Sequence, residues 1–389
     1  MSSLNFLKDD RQFQVICIIM FVGSLGQACT IPILPLYVRS FDVSYFVVGL
    51  VVAAGGVTRL VTDVPVGLVL DRIGRKPLLR LSMLLMTGSC LFPIFAQGIL
   101  PLTLFQLIQG IGLGSLLITV LAVTGDICPP DKKGSYVGCL FASDSLGVAV
   151  GAFAGGKLVE IGGFQLPFVS MLLLSITGAL MVEAFFHESL VDFSRVTKLH
   201  FAGIKMSRSE GKIALGLVGA MVVGISSNGT GNTAIPLYGA SLLMSPSQIG
   251  LALTVLWLAN VIIQPWAGGL CDRVGTRNVF MLGFVLAATS SLLFVFSGQF
   301  LTLALVAVVL GLSIGIGSSA NAAIIIEKGA TNSRGLSAAL YRISRDFGNI
   351  IGPVIVGASS DLSGISFAFI LISIVCFATA TLGLTKQPH

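Results

Sequence analysis

Charge is what this chain has least of. Only 10% of its 389 residues are Asp, Glu, Lys or Arg, against 54% hydrophobic, whereas soluble domains carry about 25% charge. A mean hydropathy of +0.96 leaves no room for a large water-soluble domain, so function must lie within or across a bilayer. Histidine is nearly missing: His187, His200 and His389 fall in segments read as lying outside the membrane, which excludes an intramembrane histidine relay. The seven cysteines form no Cys-x-x-Cys pair and have no histidine nearby, so they are read as small packing residues rather than redox or metal groups. His-Glu-x-x-His, metal-ligand clusters, Asp-rich diphosphate motifs and nucleophilic serines are all lacking. The chain is therefore expected to be no enzyme and to need no metal or cofactor. Strict alternation of apolar and polar residues is absent too. Val15–Leu25 and Phe280–Ser297 are apolar or small on every face, which excludes an outer-membrane barrel. No cleavable signal peptide is expected, because the first apolar run is too long.

What is present is a series of long apolar runs, at about 13–37, 45–69, 77–97, 100–125, 135–159, 165–187, 213–238, 247–270, 277–298, 300–326, 336–360 and 364–384. They predict an all-α membrane protein with twelve transmembrane helices. Of the 23 Lys and Arg residues, all but five lie in the termini and alternate connections on one side, including Arg72, Arg75, Lys132, Arg273, Lys328 and Arg334. Arg39 and Lys157 lie opposite, and Arg59, Arg342 and Arg345 fall inside helices. The asymmetry predicts cytoplasmic termini in a plasma (inner) membrane. It also accounts for the charge of +6 without nucleic acid, which is not expected as a partner.

One offset, 201, relates Gly23 to Gly224, Pro35 to Pro236, Tyr37 to Tyr238, Gly49 to Gly250, Gly110 to Gly311, Gly147 to Gly348 and Gly151 to Gly352. A six-helix unit is duplicated. Because six is even, the copies share an orientation, giving a parallel repeat with its pseudo-two-fold axis along the membrane normal. Residues 1–186 and 213–389 are expected to form two six-helix bundles, joined by a basic cytoplasmic linker at 187–212. Two such bundles suit alternating access around a site near the midplane.

GLVLDRIGRKP at Gly67–Pro77 recurs as GGLCDRVGTR at Gly268–Arg277. Gly74 and Gly275 permit a tight turn, Gly67 and Gly268 permit close helix approach, and the aspartates can face arginines or a helix N-terminus. At these residues the chain resembles the major facilitator superfamily, whose loop between helices 2 and 3 has this pattern. The resemblance implies a conformational latch of Gly67, Asp71, Arg72, Gly74, Arg75 and Asp126, with Asp272, Arg273, Gly275 and Glu327 as the second-copy set. In it, Asp71 braces the loop against helix 11 and Arg75 engages Asp126. Positive-inside anchoring is the alternative for the arginines, although it leaves the paired aspartates unexplained. Gly26-x5-Pro32-x-x-Pro35 and the glycines Gly147, Gly151, Gly155 and Gly156 resemble motifs of the twelve-helix drug:proton antiporters. Two positions depart from that pattern. Gln106 stands where the family has arginine, and Ala152 where the helix 5 motif has proline.

Ionisable groups near the bilayer centre are costly, so they merit a functional reading. Asp144 and Arg345 are offset by 201 and opposite in charge. They are read as a proton-coupling pair, with Asp346, Asp63 and Arg59 as further candidates; a permanent structural salt bridge, or local Arg59–Asp63 neutralisation, is the rival reading. Gln27, Phe141, Asn228, Asn232, Trp257, Asn260, Gln264, Asn321, Tyr341 and Asn349 are the candidate cavity wall, each with helix packing as its alternative. The sequence thus predicts a monomeric secondary transporter of a small organic or amphiphilic solute, with a small-molecule substrate, protons and lipid as partners. Proton-coupled multidrug efflux leads. Uptake or export of one metabolite, and a non-transporting membrane sensor, remain the alternatives.

Overall fold

The computed structural model describes residues 11–129, 132–187, 210–328 and 334–384. Helix dominates because every backbone N–H and C=O inside hydrocarbon must be paired within its own segment. The helices are α1 (Arg11–Thr30, continued by Leu34–Arg39), α2 (Tyr45–Ile73), α3 (Arg75–Ser89, continued by Leu91–Ile94), α4 (Ile99–Ile127), α5 (Lys133–Gly162) and α6 (Leu166–Phe185). After them come α7 (Glu210–Gly224, Ile225–Ala234 and Ile235–Ser241), α8 (Pro246–Val274), α9 (Thr276–Phe294), α10 (Phe300–Lys328), α11 (Arg334–Ser363) and α12 (Ile365–Leu382). Among the described residues, 11 helical runs are long and apolar enough to cross a membrane. The 30-residue α11 is not one of them, because Arg342, Arg345, Asp346 and Asp361 dilute its apolar content.

Two compact units are present. In the first, α1 packs on α5 and α6, and α3 packs on α4 and α6. In the second, α7 packs on α11 and α12, and α9 packs on α10 and α12. The same neighbours thus recur six helices later, as a duplicated parallel repeat requires. The units do not divide at the linker alone: Pro35–Gly56, which includes the first half of α2, belongs to the second unit. The linker residues 188–209 lie outside the described residues.

The glycine spacing has a direct structural reason. A Cβ at Gly147, Gly151 or Gly155 of α5 would strike the carbonyl oxygen of Phe21, Leu25 or Cys29 of α1. Their repeat-mates on α11 do the same to α7: Gly348 abuts Met221 and Gly224, and Gly352 abuts Ile225 and Gly229. Lipid gives no hydrophobic drive for helices to associate, so this backbone-to-backbone approach supplies the packing.

One helix departs from regular geometry, and one expectation is corrected. Helix 7 is not a regular α-helix: Ile225–Ala234, sequence ISSNGTGNTA, is π-helical. Two glycines and a run of Ser, Asn and Thr weaken α-helical preference there, and the wider turn lets side chains take up backbone groups. Thr233 Oγ1, for example, donates to the Asn228 carbonyl at 2.8 Å. Gly67 and Gly268 are not close-approach positions, since a Cβ at either would meet nothing within 4 Å. Gly74 and Gly275 do hold the expected turns, each with φ of 91°, a left-handed conformation that side chains disfavour.

Candidate functional site

The turn after α2 places Arg75 at the first position of α3, where its buried guanidinium reaches α4. Arg75 Nε donates to Asp126 Oδ2 at 2.9 Å, with the arginine side chain 9% and the aspartate side chain 38% exposed. The neighbouring bases bind α6: Lys76 Nζ donates to the Glu183 carbonyl at 3.1 Å, and Arg80 pairs with the Glu183 carboxylate at 2.5 Å. The start of α3 is therefore held to two helices of its own unit. In the second copy Thr276 replaces Arg75. Asp272 and Arg273 are exposed there, and Arg277 donates instead to the Gly383 carbonyl after α12. Arg72 is exposed. The side chains of Asp71 and Glu327 lie outside the described residues.

Deeper in the first unit, Ser24 Oγ of α1 donates to Asp144 Oδ1 of α5 at 2.5 Å. The glycine seam makes that bond possible, because it brings the α1 and α5 backbones together one turn further along. Arg59 and Asp63 of α2 lie against α4 at Gly114, where a Cβ would come within 3.0 Å of Asp63 Oδ1 and 3.2 Å of Arg59 Cγ. Gly112, two residues earlier, faces α3 at Met86 and Ser82. Gly112 and Gly114 therefore serve different neighbours, and of the two it is Gly114 that lies against charged side chains.

In the second unit, proline chemistry builds a polar network. Pro353 inside α11 has no N–H to give the Asn349 carbonyl four residues earlier. That freed oxygen accepts Asn228 Nδ2 from the π-helical stretch at 2.7 Å. Asn232 Nδ2 in turn donates to Asn228 Oδ1 at 3.2 Å, and Ser227 Oγ donates to Asn349 Oδ1 at 3.3 Å. Asn349 Nδ2 donates to Asp346 Oδ1 at 3.2 Å. Asp346 is only 2% exposed, and Arg342 Nε stands 3.9 Å from its other oxygen, one helical turn away. A hydrogen-bonded path therefore runs from the buried Asp346 carboxylate of α11, beside the half-buried Arg342, to the irregular segment of α7.

The other predicted wall residues are described one by one within their own units. Gln264 Nε2 donates to Asn260 Oδ1 at 3.0 Å along α8. Asn321 is fully buried, its side chain beside Gly219 of α7. Phe141 is exposed, while Gln27, Trp257, Tyr341 and Arg345 are half-buried. Sequence reading missed Ser24, Ser227 and Arg342 as site residues. A serine or threonine carries no periodic signal, and only the folded helices show which of many meets an acid. Arg342 was legible as an intramembrane charge, and its place one turn before Asp346 was the clue.

The sequence profile of the Major Facilitator Superfamily matches residues 16–208 and 216–389. Multidrug resistance protein 2 of Bacillus subtilis is 26% identical over 379 residues, covering 94% of this chain and 92% of that protein. An uncharacterized MFS-type transporter of Methanocaldococcus jannaschii is 22% identical over 367 residues, covering 92% and 94%. Among solved structures, a bacterial homolog of the human lysosomal transporter Spinster superposes with a TM-score of 0.81 at 14% identity, covering 96% of this chain and 95% of its own. The nucleoside transporter NupG does so at 0.77 and 13%, covering 96% and 100%. With the twice-used Asp-Arg-x-Gly turn, the recurring helix neighbours and a profile match over nearly the whole length, this chain belongs to the major facilitator superfamily of multi-pass membrane transporters.

Proposed function

We propose that the protein exports a small amphiphilic organic solute in exchange for protons, acting as a monomer in the plasma membrane with both termini cytoplasmic. The observation that carries this reading is Asp144, an acid well inside α5 whose carboxylate oxygen accepts a hydrogen bond from Ser24 on α1. A carboxylate in that position is stabilised by donors while ionised and loses that advantage on protonation, so proton binding changes how α1 and α5 hold each other. The multidrug relative supports the solute class. The Arg75–Asp126 pair is assigned to a latch that holds the cytoplasmic ends of α3 and α4, and the Asp346 network to a second proton-responsive element. No nucleic acid and no cofactor enter the cycle.

The test is uptake of a fluorescent amphiphilic cation into everted vesicles or proteoliposomes with an imposed pH gradient. Wild type accumulates it and collapses the gradient; Asp144→Asn loses dependence on the gradient while retaining substrate exchange. Full gradient-driven accumulation in Asp144→Asn moves coupling to Asp346 and then Asp63, and a wild type indifferent to pH refutes proton exchange. A second reading, transport of one polar metabolite, is favoured by Gln106 and Ala152 standing where the antiporters have arginine and proline. It is favoured also by the Asn228–Asn232–Asn349 set, which offers amides suited to a hydrogen-bonding solute.

A further inference from the structure

The glycine seam between α1 and α5 ends in a pair of thiols. Phe21, Leu25 and Cys29 meet Gly147, Gly151 and Gly155 along it. One turn earlier the same two faces carry Cys17 and Ser143, and Cys139 lies one turn before Ser143. The Cys17 thiol is within hydrogen-bonding reach of the Cys139 thiol and of the Ser143 hydroxyl, and that hydroxyl donates to the Cys139 carbonyl at 3.0 Å. Cys17 is 8% exposed, in a cluster with Phe13, Tyr136 and Cys128 on which Ile127 and Cys139 pack. The Phe13 and Tyr136 ring centroids stand 4.3 Å apart. Cys139 is half-buried, so a small reagent reaches it and finds Cys17 behind it. Cys128 is turned elsewhere, its thiol donating back to the Gly125 carbonyl of α4 at 3.7 Å. Spacing alone reads these cysteines as packing residues; the fold makes two of them neighbours. Their repeat-mates are Val218 and Leu340, so the pair belongs to the first copy alone and is no part of the duplicated framework.

We propose that Cys17 and Cys139 form a dithiol site for an aromatic trivalent arsenical, which bridges the two sulfurs and clamps α1 to α5. Among the described residues, no three His, Cys, Asp or Glu side chains come together as a metal site, which leaves out zinc with its four ligands. The ligand must be satisfied by two sulfurs. A cuprous or silver ion held by two thiolates keeps a net negative charge, which an apolar cluster disfavours. A mercuric ion is neutral with two thiolates, but its linear bridge forces the sulfurs further apart than two thiols in contact. Trivalent arsenic is pyramidal, holds both sulfurs side by side, and gives a neutral product. Its third substituent falls to the Phe13 and Tyr136 rings, a surface suited to an aromatic group. With phenylarsine oxide the step balances as follows: two arsenic–sulfur bonds form, the arsenic–oxygen bond breaks, and the oxygen leaves as water with both thiol protons. Arsenic stays trivalent, so no oxidant or reductant is consumed.

The test uses the purified full-length chain in detergent, with phenylarsine oxide as the probe. Labelling of Cys139 by N-ethylmaleimide, read by peptide mass spectrometry, measures the free thiol. Prior incubation with the arsenical is expected to protect Cys139 in the wild type, and dimercaptopropanol should reverse the protection where mercaptoethanol at the same thiol concentration does not. The second sulfur binds at the effective concentration of a tethered group, so Cys17→Ser should raise the arsenical concentration for half-protection about a hundredfold. Cys128→Ser should leave it unchanged. Absence of protection in the wild type, reversal by mercaptoethanol as readily as by the dithiol, protection that survives Cys17→Ser, or protection that is lost in Cys128→Ser overturns the proposal. Where Cys17→Ser does not elute as a single species, Cys17→Ala decides by the same outcomes. None of these readouts depends on solute or proton flux, so the result stands apart from the transport reading.

Discussion

Arg75 and Asp126 illustrate how much one residue's position decides. The pair sits where the α2–α3 turn meets the end of α4, and with the aspartate 38% exposed solvent screening holds its worth to about 1 kcal/mol or less. A contribution that small suits a contact made and broken in each cycle better than a fold determinant. Asp126→Asn should therefore slow solute turnover severalfold in proteoliposomes while leaving equilibrium substrate binding and the thermal midpoint nearly unchanged; lost binding would instead place Asp126 at the substrate. Charged residues of this kind were legible in the sequence because an ionisable group inside an apolar run is conspicuous. Their neutral partners were not. Ser24 is one serine among many until α5 brings Asp144 to it.

At the scale of elements, the antiporter-like glycines and the proline act through backbone geometry. Gly151 has no room for a side chain, whereas Gly268 faces nothing within 4 Å. Gly151→Val should accordingly cost about 1–3 kcal/mol through overpacking, while Gly268→Ala should be neutral or stabilising by up to about 1 kcal/mol from helix propensity. Thermal unfolding of the purified variants in detergent checks both. Pro353→Ala restores an N–H for the Asn349 carbonyl, which then competes with Asn228 Nδ2 for one oxygen. The helical gain, up to about 3 kcal/mol, exceeds the loss of one interhelical bond of about 0.6 kcal/mol. The variant should thus keep or raise its thermal midpoint while its transport rate falls, since one of the bonds that tie the π-helical stretch of α7 to α11 is weakened. The glycine and proline positions were readable from spacing alone. The π-helical turn was not, because ISSNGTGNTA reads equally as a polar stretch of ordinary helix, and only the proximity of α11 at Gly348 and Gly352 shows what it accommodates.

The whole molecule is a duplicated six-helix unit, and its basic residues predict an orientation with cytoplasmic termini. Cysteine substitutions at Ser40 and Lys132, both exposed, test that orientation directly. In intact cells an impermeant thiol reagent should label Ser40→Cys readily and Lys132→Cys only after permeabilisation. Equal labelling of both from outside would overturn cytoplasmic termini. The native cysteines are buried, or half-buried at Cys139, and give little background. The 201-residue offset made the duplication visible without coordinates. It did not reveal that the first half of α2 is grouped with the second unit, since a repeat records ancestry rather than which helices are docked.

The sequence by itself determined membrane residence, helical class, the internal duplication, the family and the tight turns at Gly74 and Gly275. Each of these depends on composition, on fixed spacing or on a backbone angle that one residue type favours. Tertiary structure alone decided which donor meets Asp144, that Pro353 gives its freed carbonyl partner to Asn228, and that Asp361 holds the start of α2. Those are meetings between residues more than a hundred positions apart. Their energies depend on distances of 2.5–2.9 Å that no local pattern encodes, because they are set by how closely glycine-lined helices approach.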